Sequence, residues 1–421
     1  MRLLYLTEYF QTPAEGGLMR TWELSHFLRR HGHGVEVVAP GAHHMTGEVP
    51  AELRGRFRVR QDVQGIGVTR VRTSAVFRRS YLHRVLYYLS TPVSVLIAGA
   101  RLPADVVMGS SPPFFLAPGA YLLARLKRVP FVLEVRDAWL EFAVAKGLVP
   151  RPLVPLLQAQ QRWLLRRADR VVAVTPGIRK LALASLPQSM QGKVHLVMNG
   201  YEEDVFRDAP AGRAGQIREE WDLGGKFVAI FTGTIGLSRD GMTCMRAAGR
   251  LREEPDLVFA FVGEGEGKRA MEAYARAEGL TNCVFVPLQP RRDMPAWMEV
   301  AAVGLNAIKG GESQESSLSN KIFEYLGAGR PVVWSGEGDT TDFLERSGGG
   351  ICLEPEDDAG MAAAILRLKR DPALAQSLGS TGRRYVIENF SRSRLAAGLE
   401  RMLAELVGEP SRVPLELEPS L

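Results

Sequence analysis

SNKIFEYLGAGRPVV, from Ser319 to Val333, reads as a short helix followed by a buried strand. Ser319 or Asn320 is placed to cap the helix and Lys321 lies in its first turn. Ile322, Phe323, Tyr325 and Leu326 form its packing face, and Gly327 with Gly329 ends it before the apolar PVVW run. A helix start offers unpaired N–H groups and a partial positive charge, and Lys321 adds a full one, so a diphosphate is stabilised there. Glu324, one turn further on, cannot hold phosphate, but its carboxylate can accept hydrogen bonds from both hydroxyls of a ribose. The stretch therefore predicts a nucleotide-handling helix start.

Outward from this stretch, short apolar runs alternate with helical patterns. RLLYLT, VEVVAP, DVVMGS, FVLEVR, RVVAVT and HLVM occupy the first half, and KFVAIFT, LVFAFVG, CVFVP, VGLNAI, PVVWS and GICL the second. Each set predicts a parallel sheet with helices on both faces, giving an α/β chain of two doubly wound, Rossmann-like domains. The expected boundaries are 1–200 and 201–390, with a hinge near Asn199-Gly200 and the two domains facing each other. In such sheets ligands sit beyond the carboxyl ends of the strands, where Gly16, Asp137, Gly233, Gly263 and the Ser316 to Lys321 segment all fall. An amphipathic helix is expected over 391–407 and a loose tail over 408–421, which holds three prolines and no helical period.

Composition is that of a globular protein: 421 residues, 46% hydrophobic and 24% charged, enough for two or three cores. Cys244, Cys283 and Cys352 lie far apart without ligand spacing and read as reduced thiols of a cytoplasmic protein. His31, His33, His43 and His44 fall around a turn and a loop rather than at i, i+4 on one helix, so metal binding is not expected there. Met1 to Thr7 reads as a first strand, without the long apolar core of a secretory leader. Val85 to Ala100 is the most apolar stretch, yet it is short and Ser90, Pro92 and Ser94 interrupt it, so it is not expected to cross a bilayer, although it could lie on one.

Charge is unevenly divided. Residues 1–200 hold 27 Lys and Arg against 12 Asp and Glu, and the remainder 26 against 35. The first half is thus expected to meet something anionic. Arg54, Arg56, Arg58, Arg60, Arg70, Arg72, Arg78, Arg79 and Arg84 lead into the apolar segment with its Tyr81, Tyr87 and Tyr88. That pairing reads either as an interfacial helix or as a solvated basic face beside an ordinary buried helix. Exposed aromatics are not interleaved with the basic residues in any nucleic-acid-binding module, so no nucleic-acid partner is expected.

Several motifs carry a functional and a structural reading side by side. Gly16-Gly17 follows the first strand, where missing Cβ atoms let the backbone approach a ligand or simply make a loop. FVGEGEGK, Phe261 to Lys268, fits neither a Walker loop, whose spacing it misses, nor a dinucleotide fingerprint, whose third glycine would fall on Lys268. Arg136-Asp137 closes the FVLEVR strand, and Asp137 either takes a proton from a substrate hydroxyl or forms an ion pair with its neighbour. No D-x-D sequence occurs to hold a metal-bound diphosphate.

The opening stretch resembles the C-terminal domain of the family 4 retaining glycosyltransferases, enzymes of the GT-B fold. Gly16-Gly17 with Arg20, SSPPFF at Ser110 to Phe115, FVLEVRDAW at Phe131 to Trp139 and FTGTIG at Phe231 to Gly236 extend the resemblance over most of the chain. It is similar above all to the bacterial transferases of O-antigen, capsule and exopolysaccharide synthesis. The resemblance implies two facing Rossmann-like domains, with the 391–407 helix crossing back to the first.

It also implies roles for particular residues. Gly16 and Gly17 would approach the donor diphosphate or its sugar. Gly233 and Thr234 would open the loop below the diphosphate, with Thr234 where many relatives carry a cation, so that Arg239 pairs with Lys321 instead. Gly263, Glu264 and Lys268 would border the nucleobase. Ser316, Ser319 and Asn320 would line the donor, with Ser316 where many relatives carry the first of two glutamates and Glu324 as the second.

The activity so implied is retaining transfer of a hexosyl or N-acetylhexosaminyl group from UDP, or less readily GDP, without a metal or other cofactor. Asp137, Lys321 and Arg239 would act on the reacting groups. The expected acceptor is a lipid-linked or growing saccharide at the anionic cytoplasmic membrane face. Front-side attack and a covalent intermediate both remain open. So do a nucleotide-sugar epimerase of the same fold and a nucleotide-binding partner that transfers nothing.

Overall fold

The computed structural model describes residues 1–12, 19–42, 49–73, 81–112, 115–145, 147–207, 210–236, 239–311 and 316–414. It forms two compact units, one from Met1–Thr12, Gly16–Asn199 and Ser393–Pro419, the other chiefly from Gly200–Arg392. The division falls between Asn199 and Gly200. The Arg392–Val407 helix belongs almost wholly to the first unit, although the chain reaches it from the second.

The first unit holds eight strands: β1 (Arg2–Leu6), β2 (Gly34–Pro40), β3 (Arg58–Val63), β4 (Ile66–Val71), β5 (Val106–Ser111), β6 (Phe131–Val135), β7 (Arg170–Ala173) and β8 (Val194–Leu196). Their order is β3-β4-β2-β1-β5-β6-β7-β8, parallel throughout except where β3 turns back on β4. Near-continuous apolar runs suit strands covered on both faces. On one face α1 (Arg20–Arg30) and the Arg392–Val407 helix bury Leu24, Leu28, Leu399 and Leu403. On the other, α2 (Tyr81–Gly99), α3 (Leu116–Lys127) and α5 (Val154–Arg167) bury Val95, Ala98, Leu123 and Leu164. The short α4 (Trp139–Ala145) follows β6.

Two expectations for this unit change. Part of the arginine-rich stretch before α2 is a hairpin rather than a lead-in to a helix, and two of its charges are engaged. Arg60 bonds Glu36, and Arg70 donates to the carbonyl of Phe10 at 3.3 Å. The alternation of Arg58-Val59-Arg60 and Val68-Thr69-Arg70-Val71 is strand periodicity that the charge count obscured. The tail is anchored as far as it is described. Arg412 donates its backbone N–H to Glu400 at 3.0 Å, Val413 is buried, and Glu409 pairs with the N-terminal ammonium at 2.8 Å. His33 is a core histidine against the same Glu400 at 2.8 Å. Residues 415–421 lie outside the described residues.

The second unit is a six-stranded, all-parallel sheet of β9 (Phe227–Thr232), β10 (Leu257–Val262), β11 (Cys283–Val286), β12 (Val303–Ala307), β13 (Val332–Ser335) and β14 (Gly350–Leu353). The order β11-β10-β9-β12-β13-β14 reverses direction between β9 and β12. Such a switch point opens a crevice at the carboxyl ends of the two strands. Every apolar run read as a strand in either half is one.

Candidate functional site

The switch point of the second unit is built around one lysine. The helix Asn320–Gly327 follows Ser319, whose extended backbone makes it the N-cap, but no side chain caps the first turn. The cap expected of Ser319 is thus not made; the Ile322 amide bonds the Ser319 carbonyl at 3.1 Å, and the preceding amides of the first turn are left to other acceptors. Tyr325 fixes where this helix start sits. Its hydroxyl oxygen accepts from the backbone N–H of Thr232 at 2.9 Å, and its ring lies over Gly304, where a Cβ would approach within 2.4 Å. The helix is thus tied to the end of β9 and the beginning of β12. At its far end Gly329, with φ of +73°, lets the chain turn into β13.

Lys321 points back across the end of β9. Its Nζ lies 3.8 Å from the centroid of the Phe231 ring, and Gly233 leaves room for it, since a Cβ there would come within 3.3 Å of Cε. Among the described residues the ammonium is buried with no hydrogen-bond partner. Burial, and then the like charge of Arg239, hold its pKa well below the ordinary value of 10.5. The loop from Gly233 carries Arg239 to the end of β12, where it bridges Ile308. Asp240 follows, caps the Gly241–Arg250 helix and takes the hydroxyl of Thr243. Two cations therefore gather at the switch point; Glu324 favours the charged ammonium but does not offset burial and Arg239, so an incoming anion would add to the balance.

Glu324 lies one turn deeper. Arg291 holds its Oε1 at 2.9 Å and reaches Glu202 at 2.7 Å, and Arg392 reaches the same Glu202 at 3.3 Å. Burial opposes the charge of Arg291, but the two carboxylates outweigh it and keep the guanidinium above its usual range. Burial also raises the Glu324 carboxyl. The residues of this network come from separate segments, so Arg291, Glu202 and Arg392 escaped the sequence reading. The paired arginines of LQPRRD, just past β11, were the only signal.

The glycine-rich FVGEGEGK turn serves backbone packing. Gly263 has φ of +149°, and a Cβ there would fall 1.9 Å from the carbonyl oxygen of Gly233. The backbone N–H of Ile235 donates to the carbonyl of Glu264 at 2.9 Å. The loops after β9 and β10 are thus locked together. Lys268, expected beside the nucleobase, turns its ammonium inward to Glu264 at 2.7 Å and to the carbonyls of Gly263 and Val286 at 3.0 and 3.3 Å. Its three protons meet three acceptors, which leaves none for a base. Thr234 and Asn320 are exposed, Ser319 is buried, and Ser316 is half-buried in the turn before the helix. Gly16 and Gly17 lie outside the described residues.

In the first unit the strand order reverses between β1 and β5. Glu134, at the end of β6, accepts from Arg20 Nε at 2.8 Å and from the hydroxyl of Tyr5. Arg20 also binds the carbonyls of Val197 and Met198 at 2.8 and 3.0 Å. Burial works against the Glu134 charge, but Arg20, Arg136 and Tyr5 outweigh it and hold its pKa low. Glu8, beyond the end of β1, accepts from the Tyr87 hydroxyl at 3.2 Å, and burial pushes its pKa up to about 7. Asp137 is exposed at the end of β6, lining a pocket with Ser111, Trp139, Glu141 and Gln161. The charge of Asp137 helps hold the Arg136 guanidinium above its usual value.

A doubly wound unit with a cation-bearing helix start at its switch point, in one chain with a second α/β unit that holds the last helix, has the architecture of the GT-B glycosyltransferases. The chain matches the glycosyl transferase 4-like domain over residues 15–200 and the glycosyl transferases group 1 domain over 226–371. It belongs to the family 4 glycosyltransferases. It is 28% identical over 357 residues to WcaI of Escherichia coli K12, described as a colanic acid biosynthesis glycosyl transferase, covering 82% of this chain and 86% of that one. It is also 28% identical to the 2-deoxystreptamine glucosyltransferase of Streptomyces kanamyceticus, over 71% of this chain and 76% of that one. A crystal structure of Anabaena HepE in complex with UDP superposes with a TM-score of 0.71 at 14% identity, covering 96% of this chain and all of that one.

Proposed function

We propose that this glycosyltransferase moves a hexosyl or N-acetylhexosaminyl group from UDP to a lipid-linked or growing saccharide in cell-surface polysaccharide synthesis, with retention of configuration. The observation that carries the reading is the buried, unpartnered ammonium of Lys321 beside an uncapped helix start. Binding a diphosphate would supply the missing acceptor, and its charge would restore the proton that burial and Arg239 disfavour.

As the bond from the anomeric carbon to the diphosphate breaks, the electron pair leaves on the diphosphate oxygen. Lys321, Arg239 and the first amides of the Asn320 helix stabilise that charge without calling on a metal. The acceptor oxygen bonds to the same carbon and gives up its proton, for which Asp137 is the proposed base. Arg291 takes one oxygen of Glu324 and orients the other toward the ribose hydroxyls.

The colanic acid assignment of WcaI supports a polysaccharide acceptor, and the UDP complex of HepE supports the nucleotide. An acceptor carried on lipid places the enzyme at the inner membrane face. Calorimetry against UDP, GDP and ADP, followed by assay of UDP release with and without acceptor, tests the reading. UDP should bind, and Lys321→Met should lose that binding. UDP bound equally well by the variant would overturn it. An epimer formed from UDP-sugar alone would replace transfer by epimerisation.

A further inference from the structure

One face of the first unit is apolar toward solvent. The helix α2 buries Tyr87, Thr91, Val95 and Ala98 and turns Leu86, Leu89, Val93 and Ile97 outward, with Leu89 59% and Ile97 54% exposed. These positions fall three or four residues apart, so they form one stripe. On α3, Leu126 is 70% exposed and Leu122 lies one turn before it; on α5, Leu156 is 64% exposed and Trp163 faces out as well. Isolated surface leucines are ordinary, but a band across three helices is not.

The band is continuous. At Gly119 a Cβ would come within 2.8 Å of the carbonyl oxygen of Pro92, so α2 and α3 touch backbone to backbone. Lys127 of α3 closes the end of α2 through the carbonyls of Ala100 and Leu102, at 2.8 and 2.6 Å. From α3 to α5 the rings of Tyr121 and Trp163 meet edge to face at 4.8 Å.

Charge identifies what covers this band. The three helices contain no Asp or Glu. Exposed Arg101, Arg125, Arg128, Arg162, Arg166 and Arg167 sit on them or at their ends. A second copy of the chain would set arginines against arginines with no carboxylate on these helices to answer them. Arg125 already pairs with Asp169 at 3.2 Å; a surface of phosphates answers the others, and acyl chains answer the leucines. Among the described residues no helix is long and apolar enough to cross a membrane.

We propose that the outward face of α2, α3 and α5 is a docking surface for an anionic phospholipid bilayer. The leucine band enters the headgroup boundary and the arginines hold the lipid phosphates. This deepens the membrane-facing reading above and rests on it for the reason the enzyme meets the bilayer, but not for the binding itself.

Co-sedimentation of the full chain with vesicles tests it. Equimolar phosphatidylcholine and phosphatidylglycerol should bind at least roughly tenfold better than phosphatidylcholine alone, and salt should weaken the binding. The triple variant Leu89→Ser, Ile97→Ser, Leu126→Ser should lose vesicle binding. Its melting temperature and its transfer to a water-soluble acceptor should stay as in the wild type, because these side chains are already in solvent. Arg166→Gln with Arg167→Gln should lower binding roughly tenfold. Equal binding to both vesicle types, or a triple variant that binds like the wild type, overturns the proposal. So does self-association without lipid that the triple variant abolishes. Vesicle binding without sugar transfer to any acceptor would leave this surface standing and remove only the function proposed above.

Discussion

Both units hold buried charge near the place where their strand order reverses, and they treat it in opposite ways. In the first, Glu134 is surrounded by Tyr5, Arg20 and Arg136, and Arg20 spends its donors on Glu134, Val197, Met198 and Asn199. In the second, Lys321 is as deeply placed, yet its ammonium lies over the face of Phe231 and among the described residues has no hydrogen-bond partner. A buried charge with partners is part of the frame; a buried charge without one costs several kcal/mol until something arrives. The contrast separates the chain's architecture from its binding chemistry more sharply than residue type does.

The largest test of that contrast removes the balanced charge. Glu134→Ala leaves Arg20 and Arg136 buried without their carboxylate and should lower unfolding free energy by about 3–5 kcal/mol in denaturant melts. A loss below about 1 kcal/mol would put the cluster on a par with a surface ion pair and erase the distinction.

Removing the unbalanced charge should act on function instead. Lys321→Met is expected to reduce kcat/KM for the donor roughly 10²- to 10³-fold while leaving thermal stability unchanged or raised. The pH dependence gives the sign. Because the folded-state pKa of Lys321 lies below 10.5, the unfolded chain binds the extra proton between the two values. Wild-type stability therefore rises with pH through that window, and the Met variant should lack the slope. A variant that unfolds several degrees early would make Lys321 part of the frame after all.

Much of this was legible in the chain and some was not, for physical reasons. Parallel strands buried on both faces are written as unbroken apolar runs, so twelve of the fourteen strands could be read directly. The edge hairpin β3 and β4 alternates arginine with valine and threonine, and its charge concealed its periodicity. The Asn320 helix could be read because cap, lysine, packing face and terminal glycines are neighbours in sequence. The Arg291 network and the Glu134 cluster could not, because Glu202 and Arg291, or Tyr5 and Glu134, meet only through the fold. The exposed apolar band was half visible. The α2 stripe shows in sequence, but its continuation onto Leu126, Leu156 and Trp163 depends on helix packing.

Glu8 sharpens the comparison on the first unit's side. Its carboxyl titrates near 7 rather than 4.5 because burial disfavours the charged form. The folded state then binds more protons than the unfolded chain between these values, so the contribution of Glu8 to stability is fully present below 4.5 and is lost as pH rises toward about 7. The loss reaches up to about 3 kcal/mol. Glu8→Gln should flatten that part of the profile in melts across the window. An unchanged profile would show that the carboxyl is ionised throughout and already balanced, as Glu134 is.

The smallest effect tests whether partnering, rather than the presence of lysine, marks the binding cation. Lys268 and Lys321 both lie beside strand ends of the same sheet, and the family resemblance places both against the donor. Their surroundings differ. Lys268 donates to two backbone carbonyls and the Glu264 carboxylate, and so clasps the turn after β10. Lys268→Met should strand the buried carbonyls of Gly263 and Val286 and cost about 1–3 kcal/mol of stability, with donor affinity little changed. Lys321→Met should do the reverse. If calorimetry instead showed that Lys268→Met weakens UDP binding tenfold at constant stability, the clasp must open to meet the ligand. Hydrogen-bond satisfaction in the unliganded chain would then no longer distinguish frame from site.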